Sequence, residues 1–377
     1  MSVVCRGMMR KRHIATLAAI VGCAIGVAAP AMAATAANAK PAAPAASIPR
    51  GLRPMAASWL TPQRGIVFGY QQPRVPGAKP YLITTSNGGK TWQSLPAPSV
   101  PYPADNNQPE VNWQDGAIEA DDGTNIYVTT NEGRHWSAER LAGLKGSYYV
   151  SQVVVSHGRV FALVTSNTAA AVYSGATGKG VLTAVRGLSM SGSGTYGDIT
   201  AQGTLQVDLG NNYMTEKYWY SRDGVHFTAA KLPCPVSTSA MLGGVRAGKV
   251  IALCNGSPSD IGLGQNDKQV FVAASLGAAF NPSGPVFDSS NTLGFATAST
   301  QNMTLETTFV LYVTFNAGKT WTPEIPQNNG ATFSSLWYPS FTTGYVVCNT
   351  YNNKLQEVDT LYRTTNSGRS WRAVPLP

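Results

Sequence analysis

Charge is what this 377-residue sequence has least of: Asp, Glu, Lys and Arg make up 12% of it, against about 25% in an ordinary soluble domain. Gly, Thr, Ser and Asn are plentiful instead, as suits short strands and tight turns. Histidine is scarcer still, with four residues in all. His13 falls in the N-terminal leader described below, and His135 and His226 recur at one place in a repeated motif. Only His157 is left, and a single imidazole makes no metal site. The sequence has no serine elbow, no phosphate-cradling glycine loop and no Cys-x-x-Cys pair, so the chemistries those motifs carry are missing. Acidic residues are scattered singly apart from Asp121-Asp122, which read as the solvated turn DDGTN. These absences lead to the expectation of no metal and no cofactor.

Long apolar runs are rare as well. The one at the N-terminus runs from Ile14 to Ala29, follows Arg10-Lys11-Arg12 and closes on Ala31-Met32-Ala33. That order of charge, apolar run and small residues reads as a secretory signal peptide over residues 1–33, cleaved after Ala33. A permanent transmembrane span is disfavoured, since the run is about 16 residues long and no charged stop-transfer flank follows it. Ile20-Val21-Gly22-Cys23 resembles a lipoprotein box with Cys23 as the lipidated residue, but the sequence stays apolar beyond it, so cleavage at Ala33 is preferred. The expected location is secreted or periplasmic. Residues 34–50 are mostly Ala and Pro and read as a disordered linker. Loss of residues 1–33 removes four basic residues and no acid, which lowers the formal charge from +9 to +5 and leaves nucleic-acid binding without support. Of the five cysteines, Cys5 and Cys23 fall in the leader, so Cys234, Cys254 and Cys348 can form one intrachain disulfide in an oxidising compartment.

What the sequence does have is a repeat. Five octads align: TSNGGKTW ending at Trp92, TTNEGRHW at Trp136, YSRDGVHF at Phe227, TFNAGKTW at Trp321 and TTNSGRSW at Trp371. Each places a glycine three residues before its aromatic: Gly89, Gly133, Gly224, Gly318 and Gly368. The aromatics are separated by 44, 91, 94 and 50 residues, so each long interval is close to two short ones and predicts a worn copy between. SGATGKGV, with Gly178 before Val181, and AASLGAAF, with Gly277 before Phe280, fill those places. Seven units of about 46 residues result, a period that belongs to propeller blades. The first unit shows four β-like runs, MAASWLT, RGIVFGYQ, PYLITTSN and TWQSLP, and the last shows ATFSSLWYPS, TGYVVCNTY, DTLYRTTN and SWRAVPLP. Whole blades are written in order, so the ring is expected to close by face packing. The fold class is therefore all-β, a single seven-bladed β-propeller over residues 51–377 with four antiparallel strands per blade.

The octads resemble the Asp-box, or BNR, repeat, Ser/Thr-x-Asp-x-Gly-x-Thr-Trp, in phase over residues 55–377. In such a box the Asx side chain caps turn amides between the third and fourth strands, Gly accepts positive φ and the aromatic tucks beneath. Asn replaces Asp at Asn87, Asn131, Asn316 and Asn366, which keeps the cap and drops the charge. Trp92, Trp136, Trp321 and Trp371 are assigned to structure, not to ligand stacking.

Asp-box propellers include sialidases, xyloglucan hydrolases, sortilin-type receptors and photosystem II stability and assembly factors, so the resemblance leaves function open. A sialidase-type glycosidase needs three arginines, a Tyr-Glu nucleophile pair and an acid/base Asp. Its early Phe/Tyr-Arg-Ile-Pro motif is absent, and Ile48-Pro49-Arg50 and Leu52-Arg53-Pro54 carry its letters in the wrong arrangement. The xyloglucan hydrolases pair two propellers, whereas one uses up this mature chain. The leading expectation is an exported non-catalytic propeller that binds or helps assemble a protein or glycan partner. Family resemblance implies that the ligand meets the face opposite the boxes. The loops expected there supply Arg74, Tyr102, Asn212, Tyr213, Asp267 and Tyr351 as candidate binding residues. Cys234 and Cys254, in LPCPV and VIALCNG, fall on neighbouring strands and are expected to form the disulfide, worth about 3 kcal/mol in the chain-entropy model.

Overall fold

The computed structural model describes residues 48, 51–71, 78–100, 109–201, 204–212, 214–232, 234, 239–246, 249–255, 261–265, 268–270, 279–287, 294–301, 307–316, 320, 322–325, 332–351 and 357–377. They belong to the compact unit Pro44–Pro377. All of the regular structure among them is β.

The strands run along the chain as short antiparallel meanders. The first is β1 (Leu52–Trp59), β2 (Gly65–Gln71), β3 (Pro80–Thr85) and β4 (Gln93–Leu95). Next come β5 (Glu110–Gln114), β6 (Ala117–Asp121), β7 (Ile126–Thr129) and β8 (Ser137–Leu141), then β9 (Tyr149–Ser156), β10 (Arg159–Ser166), β11 (Ala169–Ala176) and β12 (Val181–Ser191). These eight strands form one sheet, because β8 and β12 pair in parallel, Arg140 opposite Val181 and Leu141 opposite Leu182. Each outer edge thereby covers the other. Four further four-stranded sheets follow. They are β13 (Tyr196–Thr200), β14 (Leu205–Asn211), β15 (Met214–Ser221) and β16 (Thr228–Ala230); β17 (Ser239–Arg246), β18 (Lys249–Asn255), β19 (Ile261–Gln265) and β20 (Lys268–Val270); β21 (Ala279–Phe287), β22 (Gly294–Gln301), β23 (Thr307–Thr314) and β24 (Thr322–Ile325); and β25 (Thr332–Trp337), β26 (Gly344–Tyr351), β27 (Glu357–Thr364) and β28 (Arg372–Ala373).

Both faces of the second strands are apolar, as in GIVFGYQ of β2 and RVFALVTS of β10, so each meander packs a neighbour on either side. Ile66, Phe68 and Tyr70 of β2 meet Val111 and Trp113 of β5, while Val67 and Ile83 meet Tyr345 and Val347 of β26. The first and last sheets of the chain therefore share one core. Polar side chains on the first strands stitch neighbours together: Ser58 Oγ accepts from Trp113 N at 2.8 Å, Gln152 Oε1 from Ile199 N at 2.7 Å, and Asp198 Oδ2 from Leu242 N at 2.6 Å.

The octads fold alike. Gly89 N donates to Thr85 Oγ1 (3.0 Å) and Thr91 N to Asn87 Oδ1 (2.9 Å). The same two bonds recur at Gly133 and His135 on Thr129 and Asn131, and at Gly368 and Ser370 on Thr364 and Asn366. Thr320 N likewise donates to Asn316 Oδ1, while Gly318 and Trp321 lie outside the described residues. The fourth meander, β13–β16, departs by one position: Gly224 N donates to Ser221 Oγ and both Val225 N and His226 N donate to Asp223 Oδ1, a tighter version of the turn. Its Phe227 meets Phe161 edge-on at 6.2 Å.

Trp92, Trp136 and Trp371 are half-buried, and two of them bond the end of a neighbouring meander. Trp136 Nε1 donates to Pro96 O (2.8 Å), which follows β4 of the preceding meander. Trp92 Nε1 donates to Pro375 O (3.1 Å), which follows β28. Leu95-Pro96 and Val374-Pro375 hold the same place after their last strands, so the seam between chain ends repeats an ordinary contact between consecutive meanders. Three further contacts belong to the seam: Trp59 stacks on Tyr345 (centroids 3.4 Å apart), Tyr345 Oη donates to Pro62 O (2.8 Å), and the buried Arg53 pairs with Asp359.

The worn copy ending at Val181 does lie between third and fourth strands, at the β11–β12 turn. Ala176 stands where an Asx would cap, and a neighbour supplies the missing acceptor: Gly178 N donates to Glu139 Oε1 of β8 at 3.0 Å, and the Gly180 amide faces the same carboxylate. The other worn copy is corrected by the structure. Phe280 is the second residue of β21, the first strand of the next sheet, whereas the third-to-fourth connection of its own sheet falls between Gln265 and Lys268. A glycine and an aromatic at the right interval, with Ser275 where the other octads carry Asn, were too weak a pattern to locate that turn. Cys234 and Cys254 are buried with their sulfurs 2.05 Å apart and their Cα atoms 5.5 Å apart.

Candidate functional site

In an antiparallel meander the octad turn, between third and fourth strands, shares a side with the end of the first strand. The second-to-third hairpin and the entry to the first strand lie on the opposite side. A cleft of about 1070 Å³ opens on that opposite side. Its walls are the β8–β9 connection (Leu144–Tyr148), the β10–β11 hairpin with its flanks (Val164–Ala171) and the β12–β13 connection (Ser193–Thr195).

Local chemistry holds these loops in place. Gly192 N donates to Thr168 O (3.0 Å) and Thr195 Oγ1 to Ser166 O (3.2 Å), tying the β12–β13 connection to the hairpin. Gly194, at φ +63°, accepts from Asn212 N (3.0 Å), which extends the tie to the β14–β15 hairpin. The polar lining is hydroxyl, amide and phenol, from Ser147, Thr165, Asn167 and Thr168 with Tyr148, Tyr149 and Tyr173; Leu144, Val164 and Ala169–Ala171 make it apolar in between, and Lys145 is its single charged residue among those described. Tyr149 is 39% exposed, and burial of its remainder raises its phenol pKa, helped by Asp121, Glu110 and Asp122.

Those carboxylates form a group beneath Tyr149. Glu119 and Asp121 are buried on β6, at 0% and 4% exposure. Burial pushes Asp121 up to about 6, with the Gly123 N–H working against it. Burial raises Glu119 well above its ordinary value too, and the adjacent Asp121 and Glu110 raise it further. Glu119 Oε2 accepts from Asn112 Nδ2 (3.2 Å), which also donates to Val153 O. On β14, buried Asp208 is likewise raised, by burial and then by Asp198. Among the described residues no three His, Cys, Asp or Glu side chains converge as a metal site. Asp121 had read as part of a solvated turn. The turn is there, with Asp122 Oδ1 accepting from Thr124 N and Asn125 N, but Asp121 closes β6 and faces inward.

Of the six candidate binding residues, Arg74, Tyr102, Tyr213 and Asp267 lie outside the described residues. Asn212 is exposed at the β14–β15 hairpin with φ +51°, bonded to the cleft wall at Gly194. Tyr351 ends β26, also at a second-to-third hairpin. The residues that line the cleft were missed, because Ser, Thr and Asn in loop segments carry no periodic signal. Four arginines among the described residues have structural partners: Arg53 with Asp359, Arg64 with Glu132 and over Trp113, Arg159 with Ser174, Arg363 with Gly88 O.

No family model matches the sequence, and no curated protein matches it. Solved structures do. The β-propeller domain of the Trilobed protease from Pyrococcus furiosus, which has an open velcro topology, aligns with a TM-score of 0.52 at 6% identity over 86% of this chain and 98% of that one. This fold is a β-propeller. Prolyl oligopeptidase B from Galerina marginata aligns with a TM-score of 0.50 at 10% identity, over 84% of this chain and 50% of its own, so the propeller here spans about half the length of that enzyme. YCF48 bound to D1 peptide aligns at 15% identity over 80% of this chain and 91% of its own, with a TM-score of 0.46. At such identities the likeness speaks for the fold alone, and no helix among the described residues is long and apolar enough to cross a membrane.

Proposed function

We propose that this chain is an exported, non-catalytic propeller of seven four-stranded blades, fastened by Asp-box turns, that binds an extended segment of a partner protein in the cleft opposite those turns. The cleft carries this reading. At about 1070 Å³ it is large for a single small metabolite; hydroxyls, amides, three tyrosines and short apolar side chains line it, and its walls are hydrogen-bonded to one another in advance, which reduces the ordering cost of binding. Main-chain groups of a peptide suit such a lining better than a strongly charged ligand would. The eight-stranded sheet counts as two blades joined at β8 and β12. The glycosidase alternative draws no support from Arg53, Arg64, Arg159 and Arg363, which are engaged with other parts of the fold.

The test is photo-crosslinking in the native envelope, with the crosslinker placed at Asn167 in the cleft and, as a control, at Lys90 in an octad turn. A discrete protein adduct from Asn167, lost in Tyr148→Ala/Tyr149→Ala, is expected. Adducts from Lys90 alone, or saturable hydrolysis of a glycoside by the purified protein, would falsify the reading.

A further inference from the structure

The residue after the octad glycine is basic in five octads: Lys90, Arg134, Lys179, Lys319 and Arg369. Fastening the turn does not use that charge, because the Asn side chain and the glycine amide make the cap. Lys90, Arg134, Lys179 and Arg369 are exposed, and none of them forms an ion pair among the described residues.

These turns share a platform with the first-to-second hairpins of their blades. Gly88 N donates to Gln63 O (2.9 Å), Thr177 N to Gly158 O (3.0 Å) and Ser367 N to Thr342 O (2.9 Å), so in three blades the two turns are bonded side by side. Arg64 and Arg222 bring the described basic residues of the platform to six, against the acids Asp115, Glu132 and Asp223. Each acid is already engaged: Asp115 holds Gly158 N, Glu132 pairs with Arg64, and Asp223 bonds His226. Apolar side chains also project from the same turns. Leu60 and Phe341, in the first hairpins of the first and last blades, are 40% and 42% exposed, and Val225, in an octad turn, is 59% exposed.

We infer that the octad side docks on the surface of a bilayer rich in anionic phospholipid, its basic turns on the headgroup phosphates and its apolar tips shallowly inserted. The two features suit that surface together. A basic residue near an anionic bilayer strengthens binding about fivefold, through a field that salt confines to about 8 Å at physiological ionic strength. Charges repeated on equivalent turns present themselves to an extended surface at once, where a compact anion would meet one or two. Leu60, Val225 and Phe341 then leave water for the boundary between headgroups and acyl chains, which adds to the electrostatic attraction. A soluble polyanion would meet the same charges and leave these tips in water. Docked in this way, the fold turns the cleft on its opposite side away from the bilayer, whatever the cleft holds.

The experiment is co-sedimentation of the full mature protein with vesicles of equal parts phosphatidylglycerol and phosphatidylcholine, and with vesicles of phosphatidylcholine alone. Binding to the first and not to the second is expected, weakening as salt rises from about 0.05 to about 0.5 M. Lys90→Gln/Lys179→Gln should lower the partition about tenfold or more, while Lys79→Gln/Lys231→Gln, which removes the same charge from the opposite side, should leave it nearly unchanged. A nitroxide on Val225→Cys should become accessible to oxygen and shielded from aqueous nickel on the anionic vesicles, and one on Asn167→Cys in the cleft should stay in water. The inference is overturned if the anionic vesicles are not bound, or if the two double variants weaken binding equally. It is also overturned if the protein binds polyphosphate or heparin while the nitroxide at position 225 stays aqueous on vesicles, which assigns the surface to a soluble polyanion. Partner crosslinking from the cleft is a separate readout, so failure of one reading leaves the other measurable.

Discussion

Replacing Asp121 by Asn should stabilise the protein at neutral pH and flatten its response to acid. Asp121 has an ordinary pKa of 3.8 that folding raises to about 6, chiefly through burial. An acid raised on folding takes up a proton as the fold forms, so its contribution favours the fold most at low pH and is lost as pH climbs from the unfolded value through the folded one. Between 3.8 and about 6, at about 1.36 kcal/mol per pH unit, that loss reaches about 3 kcal/mol by neutrality. Glu119 and Asp208, both raised by burial, add to it in the same direction. Asp223 works the other way, since its hydrogen bonds from His226 hold it low, but it is exposed and screened by water. Asn at position 121 keeps the oxygen that accepts from Gly123 N and removes the ionisation. Guanidinium unfolding followed by tryptophan fluorescence, at pH values from 4.5 to 7.5, should show the wild type losing stability as pH rises. The variant should match it in acid and exceed it at the top of the range. A wild type that grows steadily more stable up to neutral pH, or a variant that runs parallel to it, would refute the reasoning.

Three further outcomes are expected. Asp359→Asn leaves the buried Arg53 without its counter-charge and should cost about 3–5 kcal/mol in chemical denaturation; a loss under about 1 kcal/mol would remove the pair from any role in closing the ring. Gly89→Ala should be clearly worse than Gly143→Ala in thermal unfolding. Both sit at positive φ, about 1–2 kcal/mol for a side chain, but a Cβ at 89 comes within 2.6 Å of Val374 Cγ1 while position 143 is open, so equal effects would argue against the seam contact. Reduction, or Cys234→Ser/Cys254→Ser, should lower stability by about 3 kcal/mol. Non-reducing peptide mapping that finds these two cysteines unlinked would rule out the disulfide.

The blades at the two ends of the array were legible because their strands are short apolar runs and their turns carry Asn and Gly. TSNGGKTW sits between β3 and β4 and TTNSGRSW between β27 and β28, where the pattern places them. Legibility failed where a local function had been handed to a neighbour. The β11–β12 turn has no capping side chain because Glu139 from β8 provides it, and nothing in the spelling of residues 174–181 points to residue 139. The fifth meander, β17–β20, carries no octad at its last turn, so spacing alone misplaced that turn onto β21. The buried acids were hidden for a different reason: Glu119 and Asp121 look like surface letters, and only the fold shows that their side of β6 faces the next blade. A cavity of about 410 Å³ walled by Trp59, Trp113 and Trp337 was beyond sequence reasoning altogether, since these residues share no motif. Arg53, read as part of a misspelt catalytic motif, is explained by a partner 306 positions away.

Ile48 and Leu376 pack against one shared core, so the array begins and ends at the same place in space. The seam there is made of the same indole-to-carbonyl bond that joins the second blade to the first. Circular permutants follow from this equivalence. A gene reopened in the β10–β11 hairpin, with Pro377 joined to Ile48 by a short linker, encodes the same sheets with a continuous chain across the old seam. The fold itself then has no preferred first blade.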